Sequence, residues 1–398
     1  MTPFQLLALL IAAVLTAGCG KTDAPTPSVA TPAGQPAAAA EKTVATPAPP
    51  SAQTLDPEKV LNIYNYPDYI PEGLVAAFEK ETGIKVNYDV FDSMATLYTR
   101  LMAGDAGYDL VVPTVAYTKP LLANKRFQPI DRSKVPNIVN LDPVLLGKLT
   151  GIDADNKHFV PWAWGLTTVG IHRKKVEKAL GNTPFPANTW DLVFNPEYTR
   201  KLKSCGIVFI DSPAEITTLA LHYLGKPPFS SAPDDIAQAT NMLAKVRPDI
   251  RNFAPTMVDE IASGKACAFI AWSSEIHVAA ARAKDSGEQD DIELLLPQRG
   301  GPLFVDALAI PTEAKHVNNA HAFIDFYLRA QSGALMTNTM RIPTGNLAAM
   351  PLVDEPIRNN KTIMLGAQDM ANLIPLGAFS METLEVVNNR YARFKQGK

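Results

Sequence analysis

From about residue 58 onward the chain alternates short apolar, strand-like runs with helix-like segments, and no other feature restricts its possible folds so sharply. Val60–Tyr64 (VLNIY) is the first such run. Pro71–Thr82 follows, with Leu74, Val75 and Phe78 on one helical face and Gly83 as the stop. Ile84–Tyr88 (IKVNY) reads as a second strand, and Ser93–Ala103 as a helix with Met94, Leu97 and Leu101 in register. Tyr108–Pro113 (YDLVVP) reads as a buried strand stopped by proline. This alternation predicts an α/β fold with a mostly parallel sheet and helices on both faces. Ligand sites in such folds lie beyond the carboxyl ends of the strands. Gly206–Asp211 (GIVFID) and Ala266–Trp272 (ACAFIAW) read as further strands, and Phe304–Ile310 (FVDALAI) as a return crossing. Two α/β lobes joined by more than one crossing suit the length of this part.

The N-terminal region has a different character. Leu6 to Ala17 (LLALLIAAVLTA) is uncharged and apolar, too short to span a ~30 Å hydrocarbon core but the right length for a signal-peptide core. It leads into Leu15-Thr16-Ala17-Gly18-Cys19, small residues before a cysteine, as lipoprotein processing requires. Thr16 stands where leucine is commonest, and no Lys or Arg precedes the apolar run. Three readings stay open: removal of residues 1–18 with a lipid on Cys19, an ordinary cleaved signal, or a retained structural helix. The first two export the chain. Of the 34 residues from Lys21 to Thr54, seven are Pro, ten are Ala and none is aromatic. Such a segment cannot bury enough apolar surface to fold, so residues 19–57 are expected to be a disordered tether. It would reach roughly 30–35 Å root-mean-square, so a lipid on Cys19 would leave the folded part free to move near a membrane.

The charge balance of 37 basic against 40 acidic residues excludes a nucleic-acid binder driven by bulk positive charge. The six histidines show no strong metal-ligand spacing, and nucleophile-elbow, phosphate-loop and dinucleotide-loop motifs are absent from the sequence. No cofactor, no metal and no enzymatic activity are expected, although a triad assembled from distant residues stays open. In an oxidising compartment Cys205 and Cys267 are expected to pair; two buried free thiols are the alternative.

Aromatics and carboxylates recur together at four strand ends: Tyr64-Asn65-Tyr66-Pro67-Asp68-Tyr69, Phe209 to Glu215, Trp272-Ser273-Ser274-Glu275, and Phe304-Val305-Asp306. Each has a structural explanation by itself, such as core packing or a glutamate at a helix N-terminus. Together they favour a flexible organic cation. Aromatic faces attract ammonium groups by roughly 0.5–2 kcal/mol each. They also cover an alkyl stem at roughly 0.8 kcal/mol per buried CH₂, and a carboxylate hydrogen bond adds roughly 1.5–3 kcal/mol.

The chain resembles the polyamine-binding (putrescine/spermidine) solute-binding proteins of ABC importers over essentially everything from about residue 58 on. The stretches that carry the likeness are LNIYNYPDYI, FEKETGIKVNYDVFDS, YDLVVPT, DNKHFVPWAWG, TWDLVFNPE, KLKSCG, FIDSPAE, AWSSE and FVDALAIP. FEKETGIKVNYDVFDS, KLKSCG and the paired cysteines bring it closer to the putrescine branch. The resemblance implies the type II periplasmic-binding-protein fold, with a first lobe of 58–164 plus 304–350 and a second of 165–303 plus 351–398. It implies that Tyr66 stacks on the ligand, Asp68 holds one ammonium, Tyr69 lines the same wall, and Thr114 supplies a hydroxyl. Glu215 would face the ligand, Trp272 would be the second stacking aromatic, and Glu275 would stand where that branch carries Asp. Phe304 and Asp306 match the aromatic and carboxylate of the crossing strand. Three departures matter: Ile342 replaces a Tyr and removes one polar aromatic wall, Ala116 replaces Ser or Tyr and leaves room at one end, and Glu275 for Asp sets a carboxylate about one CH₂ further in. Putrescine is the first expected ligand and spermidine the second, with cadaverine, agmatine or another cationic or zwitterionic solute as alternatives, and a sensor role beside transport. The expected partners are that small molecule and the importer's membrane subunits, with the chain itself a monomer.

Overall fold

The computed structural model describes residues 54–104, 106–287 and 292–397, within one compact unit, Ala52–Lys398. The signal segment, Cys19 and most of the expected tether lie outside the described residues. The tether's last residues belong to the fold. Leu55 packs on a core cluster, and the Asp56 carboxylate accepts from the Asn319 backbone N–H at 3.0 Å and from Asn318 Nδ2 at 2.8 Å. Asp56 thus supplies an acceptor to the first turn of the helix Val317–Tyr327, which otherwise has no side-chain cap, and this draws the boundary back from 58.

Strands β1 (Val60–Asn65), β2 (Lys85–Val90) and β3 (Leu110–Val111) form a parallel sheet in the order β2-β1-β3. The helix Leu74–Thr82 between β1 and β2 is bracketed by Gly73 and Gly83, both left-handed, and buries Leu74 and Phe78. The helix Met94–Ala103 starts at Ser93, whose hydroxyl accepts from the Thr96 N–H, and buries Leu97 and Leu101. The short β4 (Phe127–Gln128) pairs much later in the chain with β11 (Ile310–Pro311).

The strand β5 (Val160–His172) was not anticipated, and it changes the topology. All thirteen of its residues are buried, so no polar–apolar alternation marks it. Its first half pairs antiparallel with β10 (Leu303–Leu308), from Val160↔Leu308 to Leu166↔Leu303. From Thr167 on it pairs antiparallel with β8 (Ala268–Trp272), and from Val169 with β9 (Ile292–Leu295). Parallel pairing holds farther out, where β6 (Ile207–Ile210) joins β7 (Ile250–Ala254) and β8. The sheet expected to be mostly parallel is therefore mixed, because β5 runs against each of its neighbours. Isolated bridges, Val111 of β3 with Ala309 just after β10 and Thr114 just after β3 with Asp306 of β10, tie the two sheets into a two-lobe arrangement.

Two sets of apolar side chains fill the lobes. Phe209, Leu219, Leu243, Phe269 and Phe394 belong to the core around β6 to β8, whereas Leu61, Phe78, Leu110 and Phe323 belong to that around β1 to β3. The C-terminal return falls later than the 350/351 boundary expected from the sequence. Val353, Ile357 and Ile363 pack with Ala334 and Ala349, and Met370 and Leu373 pack with Val111 and Leu121. Only from Phe379 does the chain join the core of the second lobe.

Cys205 and Cys267 form a disulfide with Cα atoms 5.5 Å apart, joining the entrance of β6 to that of β8 across a separation of 62 residues. Closing a loop of that size restricts the unfolded chain and stabilises by about 2–4 kcal/mol. The Cys205→Ser, Cys267→Ala double variant should lose that amount in urea unfolding; an unchanged midpoint would show that the bridge contributes nothing.

Candidate ligand site

Asp306, on β10, gathers the first half of the site. Opposite Asp306 and Ala307 the register of β5 shifts by one residue, a bulge that contains Trp162 next to Pro161 and re-aims the local side chains. The buried Asp306 carboxylate accepts from the Tyr69 hydroxyl at 2.9 Å and from the Thr114 hydroxyl at 2.5 Å. Thr114 Oγ1 lies 2.9 Å from the Tyr66 hydroxyl. Asn65, buried at the end of β1, holds the tyrosine turn: its side chain accepts from the Tyr66 N–H at 2.7 Å and donates to the Tyr69 carbonyl at 3.4 Å. The two rings stand edge to face, with centroids 6.0 Å apart.

The second half comes from the carboxyl ends of two neighbouring parallel strands. After β6, Pro213 opens the helix Pro213–Tyr223 and Glu215 lies in its first turn. After β8, the helix Ser273–Asp285 begins, with Glu275 in its first turn. Glu215 accepts from Trp272 Nε1 at 3.0 Å to both oxygens and from the Thr167 hydroxyl at 2.6 Å. One oxygen of Glu275 accepts from the Met257 N–H at 2.9 Å; the other is buried without a hydrogen-bond partner. The Phe304 ring lies over Gly165, where an added Cβ would come within 2.7 Å of it and 2.6 Å of the Ser273 hydroxyl. Only a glycine lets β5 pass so close to the site.

The electrostatics of these carboxyls share one cause. Burial pushes Asp306 up to about 6, against the hydrogen bonds from Thr114 and Tyr69, and the Glu215 charge adds to the rise. Burial pushes Glu275 up to about 7, again with a contribution from Glu215. Burial raises Glu215 too, despite its Thr167 and Trp272 donors. The phenols of Tyr66 and Tyr117 are held neutral by burial and by the field of Asp306 and Glu215. The forces on each acid are thus burial, neutral donors and other acids, an arrangement that a positive guest relieves.

Residues 73–363 match the family described as Bacterial extracellular solute-binding protein. The chain belongs to that family. It is 39% identical over 343 residues to the "Putrescine-binding periplasmic protein PotF" of Escherichia coli K12, covering 86% of this chain and 92% of the relative. It is 37% identical to the "Putrescine-binding periplasmic protein SpuD" of Pseudomonas aeruginosa, over 87% of this chain and 94% of the relative. Among solved structures, a "Putative spermidine/putrescine ABC transporter" protein from Listeria monocytogenes superposes with a TM-score of 0.74 at 27% identity, covering 85% of this chain and all of that one.

In this solute-binding protein Tyr66, Tyr69, Thr114 and Asp306 form one connected group, and Glu215 and Trp272 another. Glu275 and Phe304 lie beside them. Asp68 stands apart: it is exposed, in a left-handed turn at φ 51°, and its charge acts on Tyr88. Of the departures from the family pattern, Ala116 and Ile342 are both buried. Two residues of the site escaped sequence reasoning. Tyr117 follows the YDLVVPT stretch by three positions, but only the fields of Glu215 and Asp306 on its hydroxyl reveal where it faces. Thr167 sits in a strand whose burial hides its periodicity.

Each raised carboxyl holds a proton in the folded protein between the ordinary carboxylate range near pH 4 and its own raised value. Over that window the folded state binds more protons than the unfolded chain, so this contribution to stability falls as pH rises from about 4 to 7. Asp306→Asn should therefore stabilise the ligand-free protein at pH 7.5 by about 1–3 kcal/mol in urea unfolding, with a smaller gain at pH 5. A loss of stability at pH 7.5 would contradict the electrostatic reading.

Proposed function

We propose that this protein captures a polyamine, putrescine first and spermidine second, and delivers it to the membrane subunits of an ABC importer. The observation that carries the reading is the set Asp306, Glu215 and Glu275, one buried and two half-buried acids among aromatic side chains, with the Glu215 charge acting on the other two. A diamine supplies two positive ends and an alkyl stem, which suit separated carboxylates and ring faces. A sugar would use the aromatics but would leave the acids uncompensated. The relatives named for putrescine binding support the same class. Tyr66, Tyr69, Thr114, Phe304 and Asp306 are assigned to one wall, with Asp68 at its rim, and Glu215, Trp272 and Glu275 to the other.

Binding is assigned to hinge closure of a first lobe, 58–164 plus 304–350 with the segment that follows it, on a second, 165–303 plus the C-terminal helix. The membrane subunits would read the ligand-bound form. A lipid on Cys19 and the tether behind it would keep a periplasmic monomer near its importer. Ala116 and Ile342 favour a second reading within the class, in which a bulkier or longer amine such as agmatine or cadaverine is preferred.

A thermal-shift panel of diamines, spermidine, agmatine, choline-like cations, amino acids and sugars separates these readings. The expected result is a large rise in melting temperature with a polyamine and none with sugars; the largest rise with an amino acid or a sugar would overturn the assignment. In calorimetry Asp306→Ala should weaken the best amine by at least about 30-fold, because a buried ammonium loses its partner.

A further inference from the structure

We infer that Thr167 is a positioning residue for the ligand site: its hydroxyl fixes the Glu215 carboxylate from the point on β5 where that strand changes partners. The inference rests on the polyamine reading only for its binding readout. β5 changes partners between Leu166, which pairs with β10, and Thr167, which pairs with Trp272 of β8. Around that point the backbone is tied to other crossing segments. The Thr167 N–H donates to the Pro302 carbonyl at 3.1 Å and the Trp164 N–H to that of Pro343 at 3.0 Å, while the Ile374 N–H donates to that of Gly301 at 2.9 Å. Gly301 lies so close that an added Cβ would meet the Thr167 carbonyl oxygen at 2.4 Å. The Leu166 N–H also donates to the Ser273 hydroxyl at 3.3 Å, at the start of the helix that carries Glu275.

Against this fixed backbone, the buried Thr167 side chain donates to Glu215 Oε2 at 2.6 Å. With Trp272 Nε1 it gives the carboxylate two neutral donors, which favour the charged form in a buried setting. The titratable groups that feel Glu215 come from every side. They are Asp306 on β10, Glu275 on the helix after β8, Tyr66 after β1 and Tyr117 after β3. Each of them disfavours a second negative charge. Thr167 is thus one of the few groups that hold Glu215 as an acceptor, and it does so from the junction itself. A change in the pose of Glu215 is transmitted to the crossing strand by a single hydrogen bond.

The test uses the full chain and two variants, Thr167→Val, which keeps the branched shape without the hydroxyl, and Thr167→Ser, which restores the donor. In the ligand-free protein the Trp272 indole N–H resonance, assigned by its loss in Trp272→Phe, should titrate with Glu215. Its midpoint should move up by about one pH unit in Thr167→Val and return in Thr167→Ser. Putrescine affinity at pH 7 should fall about 10-fold in Thr167→Val and recover to within about threefold in Thr167→Ser. An unmoved indole midpoint in Thr167→Val overturns the inference, whatever the affinity does. A shifted midpoint in a protein that binds no amine supports the inference and refutes the polyamine reading.

Discussion

Thirteen consecutive buried residues, Val160–His172, pair with β10 in their first half and with β8 and β9 in their second, and the rest of the structure is arranged around that strand. A strand buried on both faces has no solvent side, so its neighbours must supply apolar cover as well as hydrogen bonds. Here β10 covers the first half, and β8 and β9 the second. The handover falls between Leu166, paired with Leu303 of β10, and Thr167, paired with Trp272 of β8. Phe304, Ser273 and Gly301 approach the strand closely there. The same arrangement places Asp306 and Trp272, each paired with β5, on either side of the junction. Fold and site share one backbone constraint.

How much of this could be read from the chain follows from what each signal depends on. Helices such as Leu74–Thr82 and Met94–Ala103 announce themselves because one face is wet and their ends carry Gly or Ser. β1, β6 and β8 are short apolar runs between turn residues, and their glutamates and tyrosines follow within a few positions. β5 gives no such contrast: Pro161, Gly165 and Gly170 look like breakers, yet Pro161 flanks a bulge and Gly170 lies against the Phe269 ring. Thr167 was hidden with it. Tyr117 was missed for another reason, since a tyrosine in a short turn carries no local mark of facing two carboxylates. Asp68 shows the converse, a residue selected by pattern that stands exposed outside the hydrogen-bonded group.

The site also reverses the usual relation between stability and pairing. Elsewhere this chain partners its buried acids: Asp109 accepts from the backbone N–H groups of Asn62, Lys315 and His316 and from the His316 ring, and is held below the usual carboxylate range. Asp306, Glu215 and Glu275 receive fewer donors, Glu215's charge adds to the burial of the other two, and all three are pushed up. The difference separates an acid that holds strands β1 and β3 to a helix from acids whose charge the fold leaves less compensated.

That underpartnering bears on which guests can be held. Any motion that brings Glu215 toward Asp306 raises both carboxyls further, so approach of the two walls without a ligand requires proton uptake or costs free energy. A neutral solute leaves that repulsion in place, and a single cation relieves one end of it. A molecule with two ammonium groups on an alkyl stem neutralises both ends while its stem displaces water from the aromatic faces. Closure can therefore be made favourable by the ligand's own charges, since a ligand shifts a conformational equilibrium only by its differential interaction with the two states. On the polyamine reading proposed above, charge number would be selected by these acids, and length by the side chains at 116, 275 and 342, where this chain carries Ala, Glu and Ile.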